Sequence, residues 1–176
     1  MPEKPSPFEQ PFRKAESKSS TDHLSEEMES LVDTFDLILD AEVHSFGYVV
    51  TEPQTHGWAI QQIQSALDKV QPQVLTPDSA DEAHEVAASL LRNGQRGEHN
   101  TGTTLLDLSQ LDYDSSTDQT SIEMVLSSLN LGRNPLINSA MLTVIIVPSA
   151  KFDLYQNLPD LFSCRSFVAR FPEAEK

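Results

Sequence analysis

Residues able to do chemistry are thinly spread along this chain, and the one ordered set of them lies between Glu52 and Ala59. The stretch Phe46-Gly-Tyr-Val-Val-Thr-Glu-Pro-Gln-Thr-His-Gly-Trp-Ala-Ile60 reads as a short buried strand, a turn and the start of an amphipathic helix. Such a unit holds phosphate when the loop's backbone N–H groups and the helix N-terminus point at the anion. Counted back from Gly57, positions 52–59 align with the phosphate-loop pattern G-x-x-x-x-G-K-[ST]. Only Gly57 matches. Glu52 stands in place of the first glycine, Trp58 in place of the lysine and Ala59 in place of the magnesium-binding hydroxyl. An indole offers one N–H donor and no charge, and a glutamate adds negative charge where phosphate needs room. The expectation is a phosphate-binding architecture without the side chains that bind phosphate. Trp58 is expected to fill part of the anion hollow and pack against the sheet edge.

The remaining candidates are single residues. Asp107 follows Leu105-Leu106 as a magnesium-coordinating carboxylate would, but an apolar run of about four precedes such an aspartate and here Thr103 and Thr104 interrupt it. It reads as a strand-end or loop-facing aspartate. Ser149 follows Val147-Pro148, where a polar sensor residue or an ordinary turn serine fits equally well. Arg133 and Arg165 are expected to pair with carboxylates or helix carbonyls at helix-to-strand junctions. The five histidines (His23, His44, His56, His84 and His99) show no metal-ligand spacing, so no metal and no cofactor is expected. Cys164, the single cysteine, is expected to be a half-buried structural thiol. Neither G-x-S-x-G nor H-E-x-x-H occurs, so no catalytic residue is assigned.

The elements that would position these residues follow from hydrophobic spacing. Residues 1–21, rich in Pro, Ser, Lys and Glu with only Phe8 and Phe12 as large apolar groups, read as a disordered tail. A single domain is expected over residues 22–176. Leu24, Met28, Leu31, Val32, Phe35 and Leu39 fall at helical spacing, with Glu26, Glu27, Glu29, Asp33 and Asp36 on the other side. The helix after the central turn carries Ile60, Ile63, Leu67 and Val70. Pro72–Pro77 is bracketed by prolines, which suits an edge strand. Ser79 and Glu82 form a capping box that opens a helix through Leu91, with Gly94 as its stop. Thr103–Asp112 contains the second buried strand. Ile122, Val125, Leu126 and Leu129 mark a further helix, broken at Gly132 and Asn134-Pro135. Met141–Val147 is nearly all apolar, as a strand covered on both faces in the middle of a parallel sheet must be. Ala150–Phe162 reads as a short helix, and Ser166–Phe171 alternates like a half-buried edge strand. The alternation predicts an α/β fold of three layers, a mostly parallel five-stranded sheet with helices on both faces.

Composition narrows the function. The formal net charge is −15, which disfavours nucleic acid and anionic lipid, whose binding rests on Lys and Arg neutralising phosphates. It also repels a nucleoside triphosphate at long range. No apolar run reaches the roughly 20 residues of a membrane helix, and the first residues lack a signal peptide's apolar core. One cysteine permits no intrachain disulfide. A soluble, cytoplasmic protein is expected.

Leu126-Ser-Ser-Leu-Asn-Leu-Gly-Arg133, the strand Val144-Ile-Ile-Val-Pro148 and Leu158-Pro-Asp-Leu-Phe-Ser-Cys-Arg-Ser-Phe167 together resemble the end of the degenerate P-loop domains of the STAND/AAA type, often called inactive STAND. Phe46–Val50 followed by a helix is similar to their first strand. The resemblance covers about residues 25–171. It implies a P-loop NTPase-like sheet of five parallel strands in AAA-like order, within a bacterial signalling or defence protein. It also implies a role in interaction or regulation rather than hydrolysis, with a protein partner and scope for homo-oligomers. The alternative is a weak ATP- or GTP-binding switch or NTPase, in which Glu52, Gly57, Trp58, Ala59, Asp107 and Ser149 would form the nucleotide site.

Overall fold

Helices and strands alternate as the hydrophobic spacing predicts. The computed structural model describes residues 20–96, 101–111, 119–153 and 163–173. In chain order the elements are α1 (Ser20–Asp40), β1 (Ser45–Thr51), α2 (Pro53–Ala66), β2 (Gln73–Leu75), α3 (Ala80–Gln95), β3 (Thr103–Asp107), α4 (Gln119–Leu131), α5 (Arg133–Asn138), β4 (Leu142–Pro148) and β5 (Phe167–Phe171). Short 3-10 turns follow α2 at Asp68–Val70 and β4 at Ser149–Lys151. The tail predicted over residues 1–21 lies outside the described residues except for its last two, which already belong to α1. The acidic loop before α4 and most of the helix predicted after Ala150 also lie outside them.

The sheet has the strand order β2-β3-β4-β1-β5, and every pairing is parallel. β4 is the central strand, in register with β1 from Ser45 opposite Leu142 to Thr51 opposite Pro148. Its side chains are buried from Leu142 through Val147, which is why its sequence carries almost nothing but apolar residues. The proline-bracketed β2 and the alternating β5 are the two edges, as predicted.

The order fixes where the helices go. The chain crosses the sheet in one direction from β1 to β2 and in the other from β2 to β3, β4 and β5. Right-handed crossovers therefore put α2 on one face and the later helices on the other. On the first face Met28, Leu31 and Phe35 of α1 and Ala59 and Ile63 of α2 bury Val49, Leu105, Val144 and Ile146. On the second, Ala83, Ala87 and Leu90 of α3 and Val125, Leu126 and Leu129 of α4 bury Phe46, Tyr48, Leu106, Ile145 and Val147. Tyr48 lies deep in that second core, and burial pushes its phenol well above the ordinary range against the opposing pull of Arg165. Arg165 precedes β5, as expected for a helix-to-strand junction, whereas Arg133 opens α5 directly after α4 and so lies between two helices.

Several local expectations are corrected. Gly94 does not stop α3, which runs on to Gln95. A Cβ at position 94 would collide with the Pro135 carbonyl, so the glycine lets α3 and α5 touch backbone to backbone. Half of the capping box is present. Ser79 Oγ accepts from the Glu82 N–H at 3.2 Å, but the Glu82 carboxylate accepts from the Asp78 N–H at 3.0 Å. Helix α1 ends in a Schellman pattern, with Glu42 N–H donating to Leu39 O and Val43 N–H to Ile38 O. The left-handed residue it requires is Glu42, at φ 53°, where glycine is the common choice, so the sequence carries no stop signal there. Cys164 is exposed rather than half-buried.

Two substitutions test this packing. Ile145→Ala or Ile146→Ala, each removing a side chain about 1% exposed, is expected to cost about 2–5 kcal/mol in chemical denaturation. Losses under about 1 kcal/mol at both positions would mean that β4 is not central. Gly94→Ala is expected to destabilise by about 1–3 kcal/mol, although alanine is the better helix former by about 1 kcal/mol. A stabilised variant would contradict the α3–α5 contact.

Candidate functional site

In an open parallel sheet, ligands bind outside the carboxyl ends of the strands, at the point where the crossover direction reverses. Here that point is the neighbouring pair β1 and β4, whose connections leave to opposite faces. Glu52 follows β1 and Ser149 follows β4, so the topology delivers both to the mouth of that crevice. Ser149 Oγ donates a hydrogen bond to Glu52 Oε1 across it. The structure therefore brings these two predicted residues together, and their contact bridges the mouth of the crevice.

The predicted turn is absent. A single residue, Glu52, separates the end of β1 from Pro53, the first residue of α2. Pro53 stands at the first helical position, where its missing N–H costs nothing and its fixed φ suits the helix. Thr55, two residues on, ties the start down. Its hydroxyl accepts from the Glu52 N–H at 3.2 Å and donates to the Phe171 carbonyl at 2.7 Å. Gly57, Trp58 and Ala59 accordingly lie inside α2. Gly57 faces open space and meets no close neighbour, Ala59 is fully buried, and the Trp58 ring packs edge-on to Phe171 at 5.7 Å between centroids. The expected packing of the indole on the sheet edge is present, but the loop whose anion hollow it would have filled is not.

Asp107 ends β3, as read from the sequence, and is about 2% exposed. Its partner is a residue that the spacing arguments passed over. His56, in the first turn of α2, extends its ring past the end of β4. Its Nε2 lies 3.1 Å from Asp107 Oδ2 and 3.1 Å from Ser109 Oγ, and its Nδ1 lies 3.1 Å from Thr51 Oγ1. Asp107 Oδ1 accepts the Ser109 N–H at 3.0 Å. β1 and β3 are not neighbours, since both pair with β4, so His56 is the side chain that joins their carboxyl ends. The only signal for it in sequence was its place four residues after Glu52, which carries meaning once α2 is known to begin at Pro53.

The electrostatics follow. The hydrogen bond and charge of Asp107 raise the His56 pKa against the opposing effect of burial. Burial works to raise the Asp107 pKa, but the bonds from His56, the Ser109 hydroxyl and the Ser109 N–H outweigh it and hold the carboxyl below its usual range. Both ring nitrogens lie within hydrogen-bond distance of oxygen, and Asp107 favours the protonated ring relative to a free histidine. A Thr51–His56–Asp107 line has the order of a nucleophile, base and orienting acid, yet Thr51 is about 2% exposed and its hydroxyl is shut off from any substrate. Among the described residues no three His, Cys, Asp or Glu side chains converge as a metal site.

No protein-family model matches the chain, and no curated protein matches its sequence.

The pH dependence of the pair has a fixed sign. A raised His56 pKa contributes stability that is complete below the unfolded value, about 6.5, and is lost as pH rises through the folded value. The lowered Asp107 pKa contributes stability present above about 4 and lost as pH falls through its folded value. His56→Gln is therefore expected to cost most between about pH 4 and 6.5, on the order of 1.5–3 kcal/mol for a charge-assisted hydrogen bond, and clearly less at pH 9. Urea denaturation of both proteins across this range measures it. A difference independent of pH would show that His56 is neutral in the fold.

Proposed function

We propose that this chain is a non-catalytic protein-interaction or regulatory module on a degenerate P-loop scaffold, of the kind that serves bacterial signalling or defence, and that it works in the cytoplasm. The observation that carries the proposal is the bridged switch point. Where a nucleotide-binding relative keeps a flexible loop and an open crevice, this chain has α2 starting directly on β1 and its own carboxylate, Glu52, held by Ser149 at the crevice mouth. The place of a bound anion is taken by an anion of the protein. Five parallel strands with β1 set between β4 and β5 support the AAA-like order that the resemblance implies.

The net charge and the missing lysine point the same way. A lysine–phosphate bond contributes about 1.5–3 kcal/mol, and nothing in the cluster replaces it. Among the described residues no helix is long and apolar enough to cross a membrane. A protein partner is proposed for the β5 edge, which among the described residues pairs with β1 on one side only; an added strand would displace Glu27 of α1, whose carboxylate accepts from the outward Arg170 N–H at 3.4 Å.

Trp58 is the single tryptophan and reports on its surroundings without a label. Titration with ATP or GTP to about 1 mM, a limit near 4 kcal/mol of binding free energy, is expected to leave its fluorescence unchanged with or without magnesium. Trp58→Lys combined with Ala59→Ser is expected to restore nothing, because both positions lie in a helix and not in a loop. A saturable, magnesium-dependent change at micromolar ATP would overturn the reading in favour of a nucleotide switch. Turnover of a small molecule by a chain that binds no protein would overturn it too.

A further inference from the structure

Charge is spread unevenly along this chain. Of its 12 Lys and Arg side chains, four (Lys4, Arg13, Lys14 and Lys18) fall in the first 18 residues, beside the carboxylates Glu3, Glu9 and Glu16. Residues 19–68 then carry ten carboxylates and no Lys or Arg. Seven of the ten belong to α1. Two of these are engaged at its sides, Glu27 accepting from the Arg170 N–H at 3.4 Å and Asp36 from Lys69 Nζ at 2.8 Å. The outer face of the helix holds Glu26, Glu29, Asp33, Leu37 and Asp40, all exposed and three or four residues apart, so they form one stripe. Leu37, 72% exposed, is the single large apolar side chain in it.

We infer that the chain's own segment Phe8–Lys18, which precedes the described residues, folds back along α1 and docks on this stripe, with Phe8 on Leu37 and Arg13 and Lys14 beside Glu26. The lengths fit. Leu37 lies 17 residues after Ser20, about 26 Å along the helix at 1.5 Å per residue. Phe8 lies 12 residues before Ser20, which spans about 40 Å of extended chain and so allows a reversal and the return. Phe12 has about 26 Å of chain and nothing left for the reversal, so Phe8 is the ring that reaches Leu37. With about three residues spent in the reversal, Phe8 comes level with Leu37 and Arg13 level with Glu26. Pro7 and Pro11 favour the extended backbone this requires. The charges fit as well. Glu16 falls in the reversal beside Lys18, and Glu9 is the one carboxylate set against the stripe, opposed by two cations, Arg13 and Lys14. A second copy of the domain would bring its own α1 acids to this face. The chain's own segment brings cations, and its tether to Ser20 holds it there at a roughly millimolar effective concentration. Exposed ion pairs contribute little singly, so the docking is loose and sensitive to salt.

A nitroxide on the segment reads the docking in the full chain. The exposed Cys164 is replaced (Cys164→Ser), Gln10→Cys carries the label, and backbone amide signals are compared with the nitroxide oxidised and reduced. At about 0.05 M salt the Asp33 and Leu37 amides are expected to lose at least about half their intensity, and to recover most of it at about 0.5 M, where screening is stronger. The α3 amides from Ala83 to Leu90, on the other face of the sheet, are expected to keep theirs and serve as the reference. Arg13→Glu combined with Lys14→Glu is expected to abolish the loss, and Leu37→Gln to reduce it, with the far-ultraviolet circular dichroism unchanged in both. A loss on α1 no greater than on α3 at low salt would overturn the inference. So would a loss that survives the double charge reversal. Isotope-enriched chain without label, mixed with labelled chain, is expected to show no loss, and a loss there would overturn the inference by showing that the segment docks on a second copy. None of these readouts depends on whether the chain binds nucleotide.

Discussion

One residue separates the end of β1 from the start of α2, and most of the structure at the carboxyl ends of the strands follows from that. With no loop to turn through, α2 begins beneath Glu52. Its first turn then points His56 across β4 toward Asp107, seats Trp58 on Phe171 and leaves Glu52 facing Ser149. A longer connection would free the helix N-terminus and open the crevice between β1 and β4. The short one fixes the helix by the proline at its first position, the Thr55 hydroxyl on the Phe171 carbonyl and the His56 ring on Asp107. The last two reach different strands, β5 and β3, so the cluster staples the sheet's upper rim rather than serving one strand.

The same constraint explains what was legible in the sequence. The sheet and its layers were readable because the evidence for them is spread over many residues. Leu142 to Val147 admits only a central strand, the two prolines around β2 admit only an edge, and the helical stripes of α1, α3 and α4 repeat over three turns or more. The chemistry at the rim was half readable. Glu52, Asp107 and Ser149 were located correctly at strand ends, because a strand end is a local property. The partnership of His56 with Asp107 joins residues 51 positions apart, and no spacing rule connects them. The alignment of residues 52–59 with a phosphate loop misled because it assumed a loop length, while Pro53 and Thr55 were signals for a helix start that the glycine-based pattern overrode. Gly94 misled in a similar way. A glycine near a helix end reads as a stop, and nothing local reveals that Pro135 needs its space.

The two faces of the sheet also differ in kind. The face with α1 and α2 carries acidic residues outward and the polar cluster at its rim. The face with α3, α4 and α5 carries Asp81, Glu82 and Glu85 on α3 but one carboxylate, Glu123, on α4 and α5 together.

The placing of β1 has a consequence for how the chain is made. Both of its neighbours in the sheet are synthesised after it, β5 last of the described elements, and Glu52 and Ser149 are 97 residues apart. At the usual elongation speed of roughly 5–20 residues per second, β1 leaves the ribosome about 5–20 seconds before β4 can pair with it. Its sequence, Ser-Phe-Gly-Tyr-Val-Val-Thr, is uncharged and rich in strand-forming residues, the kind of segment that pairs with other copies of itself when left uncovered. Of the described elements only α1 precedes β1, while α2, β2, α3 and β3 follow within the interval. Met28, Leu31 and Phe35 of that acidic helix share a core with Val49, so it can cover one face of the nascent strand before any strand is there to pair with it.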